Sequence, residues 1–410
     1  MTFMPLTNPS AVGLSKARLD RIPDFFQSYL DRKKMPCMAT LVSRGGEVAH
    51  AEYRGVMDWD DPRPVGPDTI YRIYSMTKPI TSVAAMMLFE EGALRLEHEV
   101  SRYIPAFKDA KVFDGGTADN PKLRAPDREI QIRDLFTHTS GVTYGFLFQH
   151  ESDAIYRREK IGQPHETLEQ MCDRIAGLPL AFSPGEKWNY GHSIDVLGRI
   201  VEVVSGQSLD DFFRDRIFGP LGMIDTDFFV PEDKLDRLMA CYRRDPQSGE
   251  ISLADGAGAA SKLYTERPTL LNAGGGLAST MGDYYRFCLM LLRGGELDGV
   301  RILSPKTLEF MIQNHLPGGK TIKDMGDKTF SEARMEGNGF GLGWSTITDV
   351  VDSMQPGSVG TYSWGGLAST FFWIDPEEEL IAIQMTQLMP SGAYPIRPQF
   401  QQLVYAAIEG

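Results

Sequence analysis

The chain has 410 residues, of which 42% are hydrophobic, and carries a formal net charge of −13. This length suits two domains, or one large domain that contains an inserted one. The negative charge argues against nucleic acid or an anionic membrane as a partner, because both attract positively charged protein surfaces.

The N-terminal part of the chain predicts an amphipathic helix followed by a hairpin. Apolar residues recur at helical spacing between positions 14 and 34. Two short strands, 39–43 and 47–53, flank the turn Arg44-Gly45-Gly46, in which glycine supplies a positive φ. A buried helix is then expected over 80–91.

The middle of the chain, residues 93–285, is composed mostly of predicted helices and long loops. Its clearest helix has an apolar stripe that runs from Ile194 to Val204. Ser193 is the expected N-cap of this helix, and Gly206 is its expected end.

The C-terminal part predicts a return to strands. A helix over 283–293 is followed by a short helix after Pro305. Strands over 369–374 and 380–385 are separated by a turn, and a last helix covers 395–408.

Strands at both chain ends, with helices between them, predict an α/β fold whose sheet is assembled from both termini. We expect residues 1–92 and 286–410 to form this α/β domain, and residues 93–285 to form an inserted, mainly helical domain. The cleft between two such domains is the usual place for a ligand pocket.

The sequence carries no sign of secretion, of a membrane span or of a metal site. Residues 1–5 lack the basic and apolar regions of a secretion signal, and no run of about 18 apolar residues occurs. These features predict a cytoplasmic protein that does not bind membranes. The cysteines lack C-x-x-C spacing, which predicts free buried thiols rather than disulfides or zinc ligands at Cys37, Cys172, Cys241 and Cys288.

Ser75 and Lys78 form the most informative short motif. A serine hydroxyl barely ionises near neutral pH and needs a base within hydrogen-bond reach to become a nucleophile. Lys78 lies on the same face of a helix start, where free backbone N–H groups favour developing negative charge. An isolated S-x-x-K is more often a serine cap followed by a solvated lysine, so two further motifs decide the interpretation.

Tyr190 is the first of these, and it opens a helix after a Pro184-Gly185 turn. A phenol beside an ammonium group can lose its proton well below its ordinary pKa and act as a general base. Either Lys78 or Tyr190 can therefore take the serine proton, and the sequence leaves this choice open. The simpler alternative is a core tyrosine whose hydroxyl is satisfied.

Trp364-Gly365-Gly366, just before an apolar strand, is the second motif. Glycine leaves room for an edge strand to lie against an acyl group. The N–H of Leu367, which follows, would be an oxyanion donor beside the N–H of Ser75. A glycine bend next to a packed tryptophan is the alternative interpretation.

Taken in order, Ser75-x-x-Lys78, Tyr190-Gly191-His192 and Trp364-Gly365-Gly366 resemble the motifs of the serine β-lactamase and penicillin-binding superfamily. The resemblance is specifically to carboxylesterases with a class C β-lactamase fold, called family VIII esterases. It implies an antiparallel sheet flanked by helices, Ser75 as nucleophile, and Lys78 with Tyr190 as the base system. Further stretches are similar to the family: 135–141, 219–223, 274–280 and 341–344.

Two positions depart from the penicillin-recognising members. Trp364-Gly365-Gly366 replaces Lys-Thr-Gly, and this removes the cation that would pair with a drug's carboxylate. The replacement favours neutral esters over β-lactams. His192 stands where many relatives have Asn; it could donate a hydrogen bond to substrate or accept one from Lys78, or it could be structural only.

Other classes of protein fit less well. The nearest match to a G-x-S-x-G elbow, residues 191–195, lacks the last glycine, and the seven histidines contain no H-E-x-x-H. A non-catalytic protein on the same scaffold would be expected to have lost Ser75, Lys78 or Tyr190, and all three are present.

The sequence therefore predicts a serine hydrolase that cleaves neutral, small-molecule esters with short to medium acyl chains through an acyl-Ser75 intermediate, without a metal or organic cofactor. An acyltransferase, or an amidase or D-aminopeptidase with weak β-lactam hydrolysis, stays open on the same scaffold. The loops at 142–168 and 240–270 contain aromatic residues that would wall a hydrophobic pocket: Tyr144, Phe146, Phe148, Tyr156, Tyr242 and Tyr264.

Overall fold

The central sheet of the protein is built from both ends of the chain, as predicted. The computed structural model describes residues 5–326, 332 and 334–410. Within them the main sheet has seven antiparallel strands in the order β11-β12-β13-β14-β15-β1-β2. The described residues form these strands: β1 Cys37–Arg44, β2 Glu47–Gly55, β3 Tyr71–Arg72, β4 Val112–Thr117, β5 Asn120–Arg124, β6 Cys241–Arg244, β7 Ile251–Asp255, β8 Ala278–Ser279, β9 Glu296–Leu297, β10 Val300–Arg301, β11 Asn338–Phe340, β12 Ser345–Ile347, β13 Tyr362–Gly365, β14 Phe371–Asp375, β15 Leu380–Met385 and β16 Leu388–Met389.

Helices cover both faces of this sheet and fill the middle of the chain. A π-helical segment, Arg214–Phe218, joins two of the short ones. The α-helices of the described residues are α1 Lys16–Leu19, α2 Arg21–Asp31, α3 Thr77–Glu90, α4 Ile132–Phe136, α5 Glu151–Arg158, α6 Leu168–Ala176, α7 Ser193–Ser205, α8 Leu209–Phe213, α9 Gly219–Leu221, α10 Met281–Leu292, α11 Pro305–Ile312, α12 Ile322–Met325, α13 Val350–Ser353 and α14 Ile396–Tyr405.

The sheet is buried on both faces because successive side chains along its strands point alternately into two hydrophobic cores. The paired residues Leu41 and Ile383 point into the larger core, which also contains α3 and α10. The next pair, Val42 and Ala382, points to the opposite face, where α2 and α14 pack. The result is a sheet between helical layers, which confirms the predicted fold class.

Several predicted elements begin or end at other residues, each for a local reason. The helix expected over 14–34 is two helices, α1 and α2, because Pro23 lacks the N–H that would continue α1 and is tolerated only in the first turn of α2. The strand expected from 369 begins at Phe371, since Ser369 has a φ of 68° in the preceding turn.

Ser193 does not cap α7. His192 occupies the N-cap position, and the Ser193 hydroxyl lies 2.8 Å from the hydroxyl of Ser140. Gly206 ends the helix in the left-handed conformation, as predicted.

The predicted division into domains at 92/93 and 285/286 stays a prediction. Residues 93–285 contain most of the short helices, but they also contain the hairpins β4–β5 and β6–β7. The proposed boundary after residue 285 falls inside α10.

The prediction of free thiols is confirmed, since all four cysteines are buried and unpaired. No helix formed by the described residues has both the length and the apolar composition needed to cross a bilayer.

A buried ion pair holds β3, the strand that leads into Ser75. The Arg72 side chain is fully buried, and its Nε lies 3.0 Å from Oδ2 of Asp255 at the end of β7. The Gln387 side chain accepts from the Arg72 N–H at 3.1 Å and donates to the Arg72 carbonyl at 2.9 Å. The backbone three residues before Ser75 is therefore held from two sides.

We expect Asp255→Asn to lower the free energy of unfolding by about 3–5 kcal/mol, because it leaves the buried Arg72 guanidinium without its carboxylate. Urea denaturation measures the change. Asp20→Asn is the control: it breaks the exposed Lys16–Asp20 pair, and its effect should stay below about 1 kcal/mol. Equal losses in the two variants would contradict the assigned role of the Arg72 pair.

Candidate active site

Ser75 lies at a sharp junction between a strand and a helix. After β3 the chain forms a 3₁₀ turn, Tyr74–Met76, and α3 begins at Thr77. Tyr74 has a φ of 43°, in the left-handed region that residues other than glycine rarely adopt. Pro79 is in the first turn of α3, where a missing N–H has no cost. Ser75 and Lys78 therefore stand at the mouth of a buried helix, as predicted.

The Ser75 hydroxyl contacts both predicted partners. The Tyr190 hydroxyl donates to Ser75 Oγ at 2.6 Å, and Lys78 Nζ lies 3.3 Å from the same atom. Lys78, three residues from Ser75, and Tyr190, which is distant in sequence, therefore both contact the same oxygen.

Lys78 is buried and surrounded by oxygen atoms. Its Nζ donates to the Gly274 carbonyl at 2.6 Å and lies 3.2 Å from the Tyr144 hydroxyl. Burial lowers the pKa of Lys78 to about 8, against the opposing effect of the Asp195 and Glu332 carboxylates. Neutral Lys78 is consequently accessible close to physiological pH.

The pKa of Tyr190 is shifted in the opposite direction from that of Lys78. Burial raises the pKa of its phenol well above the ordinary value, with the Glu332 carboxylate adding to the effect. Between the two groups that the sequence left open as the base, the amine of Lys78 loses its proton at the lower pH.

Tyr190 is fixed in place by rings and by close backbone packing. Its ring lies 4.9 Å from the ring of His138 and 5.5 Å from that of Trp364, measured between centroids. A Cβ on Gly191, the next residue, would be only 2.1 Å from the carbonyl oxygen of Val142. Any side chain at position 191 would therefore displace Tyr190.

The motif at 364–366 supports the site from behind. Trp364 is fully buried between Tyr190 and Phe340. The close approach that glycine permits is to other parts of the protein: a Cβ on Gly366 would be 2.3 Å from the Ile73 carbonyl oxygen, and one on Gly365 would be 2.4 Å from the Arg397 guanidinium. Leu367, in contrast, lines the same cavity as Ser75.

A hydrogen-bonded chain that the sequence analysis did not identify connects His192 to Lys78. His192 Nδ1 lies 2.9 Å from Oδ2 of Asp195, and Oδ1 of Asp195 accepts from the Gly274 N–H at 2.8 Å. The Gly274 carbonyl in turn accepts from Lys78. The three-residue spacing of His192 and Asp195 at a helix start was the available signal.

The cavity beside Ser75 has a volume of about 750 Å³. Phe146 stacks on Tyr144 at 4.8 Å between ring centroids and is half exposed at the mouth. The aromatic residues predicted to wall the pocket do so at Tyr144, Phe146, Phe148, Tyr156 and Tyr264.

Tyr242 is the exception among the predicted aromatic residues. Its hydroxyl donates to Asp58 at 2.7 Å, and its ring packs on Trp59. It belongs to the core on the other face of the sheet.

The part of the chain that the structure describes contains no group of three His, Cys, Asp or Glu side chains placed to hold a metal ion.

Comparison with known proteins identifies the class. A family model described as Beta-lactamase matches residues 22–406. The chain belongs to this family, which confirms the superfamily predicted from the three motifs.

Individual relatives cover nearly the whole chain. Protein Rv1367c of Mycobacterium tuberculosis (strain ATCC 25618 / H37Rv) is 36% identical over 86% of this chain and 85% of its own length. Esterase EstB of Burkholderia gladioli is 28% identical over 97% of this chain and 98% of its own. The solved structure of EstCE1, described as a hydrolase with promiscuous acyltransferase activity, has a TM-score of 0.77 and 26% identity, covering 96% of this chain and 99% of that one.

We expect Asp195→Asn to lower the pKa of Lys78 by about one unit, because it removes a carboxylate that stabilises the ammonium form. The oxygen of Asn can still accept from the Gly274 N–H, and its NH2 can donate to His192 Nδ1 when the ring proton is on Nε2, so the change removes the charge while both contacts remain possible. The measurement is the pH titration of the Lys78 Cε signal by NMR on lysine-labelled protein, assigned with Lys78→Arg. Asp245→Asn, on a surface turn, should leave the titration unchanged; a shift of equal size there would contradict the assignment to Asp195.

Proposed function

We propose that the protein is a serine carboxylesterase that forms a covalent acyl-enzyme on Ser75. The observation that carries this proposal is the double contact of Ser75 Oγ with Tyr190 and Lys78 at a cavity of about 750 Å³. The similarity to an esterase and to a hydrolase with acyltransferase activity supports it.

The hydrogen-bond pattern suits a neutral Lys78 as the base. The Gly274 carbonyl can only accept, so it takes one N–H of the amine. Tyr190 donates to Ser75 Oγ, which leaves the Ser75 proton free to point at the amine lone pair. The second N–H then points to the Tyr144 hydroxyl.

Attack transfers the Ser75 proton to Lys78 while the Ser75 oxygen bonds to the ester carbonyl carbon. The oxyanion that forms is placed to accept from the N–H groups of Ser75 and Leu367. As the carbon–oxygen bond to the alcohol breaks, the proton passes from the Lys78–Tyr190 pair to the leaving oxygen. Water, deprotonated by the same pair, then releases the acid.

The surroundings favour esters that are neutral near the carbonyl. Where penicillin-recognising members have a lysine, the buried Trp364 offers no charge. The nearby Arg397 guanidinium is already paired with Glu332 at 2.8 Å. Both features disfavour a carboxylate next to the reacting group.

Acyl transfer to an alcohol is the second candidate, because EstCE1 is described as having promiscuous acyltransferase activity. The two reactions share the acyl-enzyme and differ only in whether water or an alcohol attacks it. The ratio of acid to new ester formed in the presence of an added alcohol measures this partition. An amidase or D-aminopeptidase activity would follow the same steps with an amine as leaving group.

Ser75→Ala should reduce hydrolysis of p-nitrophenyl esters from C2 to C12 by about ten-thousand-fold or more, because it removes the nucleophile. Wild-type protein should cleave the esters and turn over the cephalosporin nitrocefin poorly. Ser82→Ala is the matched control: Ser82 lies buried on α3, and its hydroxyl has no hydrogen-bond partner among the described residues. Retained activity in Ser75→Ala would refute the assignment of the nucleophile.

The acylation rate should rise with pH through about 8, because the neutral form of Lys78 is the active one and its pKa is about 8. At pH 6 the rate should be about one hundredth of its plateau. Lys78→Arg should be inactive at every pH, since a guanidinium is not deprotonated. Tyr190→Phe should be slower but keep the midpoint of the profile; a rate that is flat from pH 6 to 9 would contradict Lys78 as the base.

A further inference from the structure

Arg397 reaches from the second position of α14 to the turn that joins β13 to β14. We call residues 366–370 the oxyanion turn. Arg397 Nη2 lies 2.9 Å from the Gly366 carbonyl oxygen and 3.0 Å from the Thr370 carbonyl oxygen, the two ends of this turn. The Arg397 side chain is only 13% exposed, so these contacts are largely shielded from water.

The contact with Gly366 determines which way the Leu367 N–H points. The Gly366 carbonyl and the Leu367 N–H belong to one peptide group, and in a trans peptide they point in opposite directions. The same carbonyl also accepts from the Ser369 N–H at 3.0 Å, so both of its acceptor positions are occupied. The peptide therefore cannot rotate without the loss of two hydrogen bonds.

The N–H on the other side of this peptide is free for a ligand. Among residues 5–326, 332 and 334–410, no group accepts a hydrogen bond from the Leu367 N–H, and Leu367 lines the cavity with Ser75. A guanidinium bound to the carbonyl also withdraws electron density from the amide nitrogen, which makes the N–H a stronger donor.

We propose that Arg397 is a positioning residue that orients and polarises the Leu367 N–H as an oxyanion donor. The inference rests on the proposed function, since it requires a carbonyl oxygen that gains negative charge beside Ser75. The hydrogen bond from the polarised Leu367 N–H stabilises the tetrahedral state more than it stabilises the bound ester. Only the tetrahedral state carries a full negative charge on that oxygen.

The position of Glu332 suggests a second explanation for any effect of Arg397 on acylation, and the experiment has to distinguish it from the orientation of the Leu367 N–H. Its carboxylate lies 2.8 Å from Arg397 Nη2, its side chain is 1% exposed, and it lines the same cavity as Ser75. Arg397 could then act only by neutralising a carboxylate close to Lys78 and Tyr190. Removing both charges together distinguishes the two roles.

The test compares four variants on the same p-nitrophenyl ester: Arg397→Gln, Arg397→Lys, the double variant Arg397→Gln/Glu332→Gln, and Arg237→Gln. Arg237 is the matched control, because it pairs with the buried Asp225 at 2.6 Å and lies outside the cavity. Two quantities are measured: the acylation rate in a single turnover, and the infrared stretching frequency of a ¹³C-labelled acyl carbonyl on Ser75.

We expect Arg397→Gln to slow acylation by about 10- to 100-fold, a fraction of the loss seen when an oxyanion donor is removed. The acyl carbonyl should absorb at higher frequency, since it accepts a weaker hydrogen bond. The double variant should stay equally slow, and Arg397→Lys, which keeps the cation without the planar fork, should fall between Arg397→Gln and wild type. Arg237→Gln should change neither quantity.

The inference is overturned if the double variant regains the wild-type rate, if Arg397→Gln leaves the carbonyl frequency unchanged, or if Arg237→Gln gives the same result as Arg397→Gln. Should Arg397→Gln fail to fold, Arg397→Lys and its carbonyl frequency decide between the same outcomes. Mass analysis of the Ser75 peptide separates failure of the proposed function: without an acyl adduct in wild type, both proposals fall, whereas an adduct with an unchanged frequency refutes only the role of Arg397.

Discussion

The burial of Lys78 against Ser75 is the constraint on which the rest of the site depends. An amine inside a protein loses its hydration, so every N–H needs an oxygen partner, and its charged form becomes costly. The Gly274 carbonyl and the Tyr144 hydroxyl supply those partners. The same burial that demands them brings the pKa of the amine to about 8. Reactivity and local architecture thus have one physical cause.

Close backbone contacts help to hold the residues around Ser75 in place. Gly191 lies against the carbonyl of Val142, and Gly366 lies against that of Ile73, in both cases without room for a Cβ. Segments that are far apart in sequence therefore meet at main-chain separation, which leaves little freedom for the side chains they carry. These glycines leave room for other segments of the protein to approach closely.

Periodicity predicted the sheet strands β1, β2, β14 and β15 and the main helices. The short motifs, through the family resemblance that they carry, predicted the meeting of Ser75, Lys78 and Tyr190. Asp195 was not identified, although its spacing from His192 was an available signal. Arg397 could not be predicted, since its importance comes from a backbone group that another segment brings to it. Trp364 was expected at the ligand and lies behind Tyr190 instead. Composition identifies an apolar residue but does not tell which side of a strand faces the cavity.

The pairing of β1 with β15 has a consequence for how the protein is made. Ala39 pairs with Met385, and synthesis of the roughly 350 residues between them takes about 20–70 s at 5–20 residues per second. During that time the β1–β2 hairpin presents an open strand edge to the cell, and such edges invite association with other chains. Ser75 emerges early, yet the turn that carries Leu367 emerges late. A nascent chain therefore holds Ser75 for most of its synthesis without the completed sheet and without the turn that carries Leu367.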